Sequence, residues 1–226
     1  AVLREAVAAD RNRRYGTHLD PTAEVLITVG ATEAISATLL GLVEPGDEVV
    51  LIEPFYDSYA ATVALAGAVR RTAPLVPSGS GFRLDVDALR TAITERTTML
   101  VVNTPHNPTG TVFTDDEIRA IAELACEHDL LVLSDEVYEH LVFDGRVHTP
   151  LSSLPGMWER TVTVSSAAKM FNVTGWKIGW ACGPADLIAG VRAAKQYLSF
   201  VGGAPFQPAV AHALTHEQNW VREMAS

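Results

Sequence analysis

Apolar residues in this chain fall into short dense runs, separated by longer stretches where they recur at helical spacing. Residues 1–15 read as an amphipathic helix. A strand at Val25–Val29 runs into Gly30 and a helix over Thr32–Val43. Pro45-Gly46-Asp47 turns the chain into a buried strand, Glu48–Ile52. A helix over Asp57–Ala66 leads to a strand at Ala68–Thr72. The stretch Pro74–Phe82, centred on Pro77-Ser78-Gly79-Ser80-Gly81, reads as a flexible loop. Asp85–Ile93 is expected to be helical and Thr98–Asn103 extended. Thr114-Asp115-Asp116-Glu117 fits a capping box opening a helix to His128. Strands are predicted at Leu130–Ser134, Thr161–Val164 and Trp176–Ala181, a helix at Pro184–Tyr197, and one long helix from Pro205 onward. No internal repeat is present. This alternation predicts an α/β fold with a largely parallel sheet covered by helices on both faces. Ligands of such sheets gather at the carboxyl ends of the strands.

Five segments that follow strands carry candidate chemistry. Gly30-Ala31-Thr32-Glu33-Ala34 opens a helix, whose free N–H groups and dipole suit a phosphate; the plainer reading is a cap by Thr32. Glu53-Pro54-Phe55-Tyr56-Asp57-Ser58-Tyr59 offers an aromatic to stack on a flat ring, or simply packs the rim. Asn103-Thr104-Pro105-His106-Asn107-Pro108-Thr109-Gly110 is a turn signature that can also present a side-chain amide to a ligand oxygen. Ser134-Asp135-Glu136-Val137-Tyr138 puts an acid at the end of a buried strand. That is costly unless the acid is paired, whether by a protonated ring nitrogen, a helix cap or a protein salt bridge. Finally, Ser165-Ser166-Ala167-Ala168-Lys169 sets a lysine beside Met170 and Phe171. A lysine in such apolar surroundings is of the nucleophilic kind, although most lysines are ordinary surface residues. Together the five supply a phosphate cradle, a ring stacker, a partner for a hydroxyl oxygen, a carboxylate and an amine. Pyridoxal 5'-phosphate (PLP) requires that set.

Composition narrows the partners. The 226 residues carry 27 acids against 17 bases, a formal net charge of −10, with no basic stripe. Nucleic acid and anionic membrane surfaces are therefore not expected partners. Cys126 and Cys182 lack ligand-like spacing and read as free thiols of a reducing compartment. Residues 1–16 lack an apolar signal core and no run reaches membrane-spanning length, so a cytoplasmic protein is expected. His212 and His216 stand one helical turn apart with no third ligand in view, and no metal site is expected.

Ser165–Trp180 (SSAAKMFNVTGWKIGW), Thr28–Ala34 (TVGATEA) and Asn103–Gly110 (NTPHNPTG) make the chain resemble the class I/II aminotransferases of PLP fold type I. Within that family it is similar to the actinobacterial N-succinyldiaminopimelate aminotransferase-like branch, which borders the kynurenine and glutamine transaminases. The resemblance implies that Lys169 carries the cofactor, Asp135 pairs with its ring nitrogen, and Asn107 and Tyr138 hold its phenolic oxygen. It implies that Tyr56 stacks on the ring, while Gly30, Ala31, Thr32, Ser166 and Lys177 form the phosphate site. Lys177 stands where relatives often have arginine, keeping the charge without the bidentate fork. Lys169, Asp135 and Tyr138 are then the expected catalytic residues, in a homodimer acting on an amino acid and a 2-oxo acid. Residues 1–204 would be a nearly complete large domain lacking its N-terminal segment. Residues 205–226 would begin the helix leading to a smaller domain, whose arginine grips the substrate carboxylate. Gly202-Gly203 replace an aromatic-plus-His pair of kynurenine- and glutamine-handling relatives, which points to an aliphatic, acidic substrate. The same cofactor residues also serve carbon–sulfur lyases and the aminotransferase-like domains of transcription regulators.

Overall fold

The computed structural model describes residues 1–79 and 81–224. Ser80 of the expected loop and the last two residues of the expected long helix lie outside that set. The strands are β1 (Val25–Val29), β2 (Glu48–Glu53), β3 (Val69–Ser78), β4 (Gly81–Leu84), β5 (Thr97–Asn103), β6 (Leu131–Asp135), β7 (Thr161–Ser166) and β8 (Ile178–Cys182). The helices are α1 (Val2–Tyr15), α2 (Gly30–Leu42), α3 (Asp57–Leu65), α4 (Val86–Ala92), α5 (Asp115–Glu127), α6 (Ala167–Met170), α7 (Ala185–Leu198), α8 (Gln207–His216) and α9 (Gln218–Met224).

Among the described residues the strands form one eight-stranded sheet in the order β1-β8-β7-β6-β5-β2-β3-β4. The run from β3 through β2, β5 and β6 to β7 is parallel. β8 lies antiparallel to both β7 and β1, so β1 points the same way as β7. The carboxyl ends of β1, β2, β5, β6 and β7 and the amino end of β8 therefore share one edge of the sheet. All five candidate segments open from that edge.

Alternation along each central strand builds the two halves of the core. Val50, Ile52, Leu100 and Val102 pack with Leu89 of α4 and with Ile118 and Ile121 of α5. Their neighbours Val49, Leu51, Met99 and Val101 face Ile35 and Leu39 of α2, Val63 of α3 and Ile188 and Val191 of α7. A third cluster joins Leu3 and Val7 of α1 to Trp180 of β8 and to Val210 and Leu214 of α8. α5 opens on the predicted capping box. The Thr114 hydroxyl accepts the Glu117 N–H at 3.3 Å, and Glu117 Oε2 accepts the Thr114 N–H at 2.7 Å.

Three expectations are corrected. Pro74–Phe82 is not a loop, because β3 continues to Ser78 and turns back into β4 with Leu75 opposite Leu84. Its prolines and glycines suggested a break, yet Ala73, Leu75 and Leu84 are buried and pin the hairpin to the core. The final helix is two helices that meet at Glu217. There the Gln218 side chain takes over local bonding, donating to Leu214 O at 2.7 Å and to Asp10 Oδ1 at 3.2 Å. The strand expected from Trp176 begins at Ile178, because Lys177 adopts left-handed backbone at φ 53° and ψ 48°.

Candidate active site

At the shared edge lies a cavity of about 160 Å³. Gly30, Ala31, Thr32, Tyr56, Asn107, Asp135, Tyr138, Ser166, Lys169 and Lys177 all line it. The fold thus brings together every residue expected to hold the cofactor, from segments spread over most of the chain.

α2 starts at Gly30 with no side-chain cap, so the plainer reading of Thr32 as a cap does not hold. Gly30, Ala31 and Thr32 of its first turn line the cavity. The approach of β8 to this helix end is very close. A Cβ on Gly179 would stand 2.5 Å from the Gly30 carbonyl carbon and 2.6 Å from the Ala31 nitrogen, so only glycine fits there. Lys177 precedes this contact in left-handed backbone, which costs a residue with a Cβ about 1 kcal/mol or more. That strain puts Lys177 at the cavity mouth, where a straight continuation of β8 would carry it along the sheet.

Asp135 ends β6 and is 3% exposed. Burial pushes its carboxyl up to about 6, against the pull of the Tyr59 hydroxyl and the Val137 N–H. Tyr59 Oη donates to Oδ2 at 2.6 Å, and Val137 N donates to Oδ1 at 3.2 Å. Tyr59 itself is held far above the usual phenol range by burial and by the Asp135 charge, so it remains a donor. The Tyr56 ring stands edge-on to that of Tyr59 at 5.7 Å. Asn103 does not reach toward a ligand oxygen. Its Nδ2 donates to Asp135 O at 2.9 Å and its Oδ1 accepts the Asn107 N–H at 2.7 Å, so it fixes the two segments that carry Asn107 and Asp135. His106 locks the same turn through Thr109 Oγ1 at 2.8 Å, and burial pushes its imidazole down to about 4.

Lys169 lies on the single turn of α6. Its Nζ sits 5.6 Å from the centre of the Tyr138 ring. Neither Lys169 nor Lys177 has a hydrogen-bond or ion-pair partner for its amine among the described residues. The donor set therefore fits PLP. Helix N–H groups and an amine serve a phosphate, a buried carboxylate serves a ring nitrogen, and a second amine serves an aldehyde.

A second group of charges lies directly behind and was not found from sequence. Glu136 and Glu139 are buried, with the Arg11 guanidinium 3.4 Å and 3.6 Å from their Oε2 atoms. Tyr15 and Ser165 each donate to Glu139 at 2.7 Å, and Ser134 donates to Glu136 at 2.9 Å. Glu136, Glu139 and His148 have the spacing of cation ligands, but Arg11 already supplies the cation. The salt bridge considered for Asp135 belongs to Glu136, its neighbour. On α8 the rings of His212 and His216 are 4.5 Å apart and take no part in that group.

The family model for class I and II aminotransferases matches residues 1–226. The chain is 68% identical over 221 residues to a probable N-succinyldiaminopimelate aminotransferase of Mycobacterium tuberculosis, covering 98% of this chain and 56% of that protein. It is 42% identical over 219 residues to mouse kynurenine–oxoglutarate transaminase 3, covering 93% of this chain and 48% of the relative. The solved N-succinyldiaminopimelate aminotransferase from M. tuberculosis superposes with a TM-score of 0.98 at 66% identity, over 99% of this chain and 58% of that one. The chain thus spans about half the length of the curated relatives it matches. It belongs to the class I and II aminotransferases.

Proposed function

We propose that this protein binds PLP in the cavity at the sheet edge and transfers an amino group between an amino acid and a 2-oxo acid. The observation that carries this reading is the buried Asp135 carboxylate, with no cation in ion-pair contact among the described residues, facing the same cavity as the Lys169 amine. When bound, the cofactor supplies a carbonyl that takes up amino groups and a ring that accepts electrons from the substrate α-carbon. Gly30, Ala31, Thr32, Ser166 and Lys177 would hold its phosphate, and Tyr56 would stack on its ring. Asn107 and Tyr138 would bind its phenolic oxygen. Asp135 would keep a proton on the ring nitrogen through its carboxylate. Lys169 would hold the cofactor through Nζ and, when free, would serve as the base for the substrate α-carbon proton.

The names of the relatives favour amino transfer over carbon–sulfur cleavage or a regulator domain. The name of the relative at 68% identity supports N-succinyldiaminopimelate as the amino-bearing substrate; 2-oxoglutarate as its partner, in lysine biosynthesis, completes the proposed reading. Residues 1–204 form the cofactor-binding domain in this reading, with 205–226 leading toward a smaller one. Among the described residues no helix is long and apolar enough to cross a membrane, in keeping with a cytoplasmic enzyme. The exposed apolar strip of Tyr197, Leu198, Phe200 and Val201 supports a homodimer. The test is borohydride fixation of the PLP-loaded protein with peptide mapping, followed by a donor screen that reads pyridoxamine phosphate. An adduct on Lys169, absent in Lys169→Ala, is expected. An adduct mapped to Lys177 or Lys195 overturns the assignment.

A further inference from the structure

Glu33, in the first turn of α2, sits awkwardly beside a phosphate site. Its side chain folds back so that Oε2 accepts the Val29 N–H at 2.6 Å. That bond ties Glu33 back to the residue before the helix, and an acid in the first turn suits the dipole. Yet it also puts a negative charge at the helix end that would receive a phosphate dianion, and like charges so placed oppose each other.

The structure contains the answering cation. Lys195 of α7 is 5% exposed, and its Nζ lies 3.6 Å from Glu33 Oε2. The same Nζ donates to Ser199 Oγ and to Phe200 O, each at 3.1 Å. Those two bonds hold a segment that abuts the cradle. A Cβ on Gly202 would stand 2.2 Å from Val29 Cγ2, and one on Gly203 would stand 2.1 Å from Ile178 Cδ1. Val29 directly precedes Gly30, and Ile178 directly follows Lys177. The glycines at 202 and 203 are therefore set by packing against the cradle. A few residues on, Phe206 stacks at 4.9 Å on Trp176, the residue before Lys177.

We propose that Lys195 is a positioning residue for the phosphate site. Its ammonium neutralises Glu33, so the N-terminus of α2 offers its positive end to a phosphate monoester undiminished. Its other two bonds keep the 199–203 segment seated against the residues that flank Gly30 and Lys177. Lys195 touches no ligand and acts through Glu33. This inference rests on the reading of Gly30–Thr32 as the phosphate cradle.

The experiment compares the unmodified protein with Lys195→Met, Glu33→Gln and the double variant. Dissociation constants are measured for PLP and for pyridoxal, which has the same ring and aldehyde but no phosphate. Lys195→Met leaves the half-buried Glu33 carboxylate without its cation, and should weaken PLP binding by roughly 10- to 100-fold while changing pyridoxal binding by less than about threefold. Glu33→Gln keeps an acceptor for the Val29 N–H and removes the opposing charge, so PLP should bind as tightly as in the unmodified protein or tighter. The double variant should recover most of the lost affinity. The proposal is overturned by unchanged PLP affinity in Lys195→Met, by equal weakening of PLP and pyridoxal, or by a double variant no better than Lys195→Met. If Lys195→Met does not fold, Glu33→Gln decides alone, since weaker PLP binding there contradicts the electrostatic role. Borohydride fixation of the unmodified protein separates the two levels. An adduct on Lys169 together with any of those failures removes only the role of Lys195, and no adduct removes the reading of the cavity itself.

Discussion

Asp135 and Glu136 are consecutive buried carboxylates with opposite surroundings. Glu136 points away from the cavity, into a setting where the Arg11 guanidinium and the Ser134 hydroxyl meet its oxygens. Asp135 points toward the cavity and has only two neutral donors, Tyr59 and the Val137 N–H. Burial costs each of them its hydration. Glu136 has a guanidinium in direct contact, whereas Asp135 feels only the more distant Lys169 amine and its carboxyl is pushed up to about 6. A buried acid that the protein itself matches holds structure together, whereas one left short of a cation is poised for a ligand that brings one. The contrast separates scaffold from site within a single turn of chain.

The matched side should break hardest. Arg11→Met keeps most of the side-chain volume but strands two carboxylates, each at most 6% exposed. A loss of about 3–5 kcal/mol is expected from removing one partner of a buried ion pair. Urea unfolding of the cofactor-free protein measures it. A loss below about 1 kcal/mol would show that water reaches these acids and that the pairing argument fails.

Asp135→Asn should act in the opposite direction. The folded protein holds this carboxyl above its ordinary value of 3.8, so its contribution to stability is present at low pH and is lost as pH rises toward and past about 6. An amide has no charge to penalise. The variant should therefore be more stable than the unmodified cofactor-free protein by about 1–3 kcal/mol at pH 8, with the gap closing toward pH 4. Under the proposed function the same change should lower amino transfer by orders of magnitude, because nothing then keeps the ring nitrogen protonated. Melting temperatures across that pH range test the stability half and single-turnover kinetics the other. A variant that turns over normally would mean the carboxylate is structural.

These two residues also mark where the sequence could be read and where it could not. Asp135 and most of the other cavity residues were legible because they end or follow an apolar strand at a break in the pattern, and parallel topology gathers such breaks at one edge, whereas Lys177, just before the antiparallel β8, was placed only by the family resemblance. Nothing local distinguished Arg11, which lies on an amphipathic helix and whose partners are 125 and more positions away. Tyr59 was hidden for a similar reason: it looks like a core aromatic of α3, and its bond to Asp135 spans 76 positions. The need for Gly179 comes from two backbones meeting at 2.5–2.6 Å of a Cβ position, which spacing along the chain does not encode. The β3–β4 hairpin was missed because local turn chemistry in Pro77–Gly81 outweighed the alternation of Ala73 and Leu75, which tertiary packing enforces.

The smallest expected effect sharpens the comparison most, because it tests whether the Tyr59 bond senses the charge on Asp135. The Tyr59 hydroxyl donates to Oδ2 at 2.6 Å, with both side chains buried. A donor favours the ionised carboxylate over the neutral acid, so it pulls the carboxyl down while burial pushes it up. Tyr59→Phe removes that pull and keeps the ring, including its edge-on contact with Tyr56. The Asp135 carboxyl should then rise above about 6, and the cost should depend on pH. Above the folded value the carboxylate is charged and loses a charge-assisted bond, for a cost of about 1–2 kcal/mol. Near pH 4 the acid is neutral in both proteins and the cost should shrink to a few tenths. In an Asp135→Asn background the pH dependence should vanish, since no charge remains for the hydroxyl to sense. Unfolding free energies of the four proteins at pH 4, 6 and 8 complete the cycle. A cost for Tyr59→Phe that is flat with pH would mean the bond is a packing contact, and that Asp135 is held in place by Val137 and Asn103 alone.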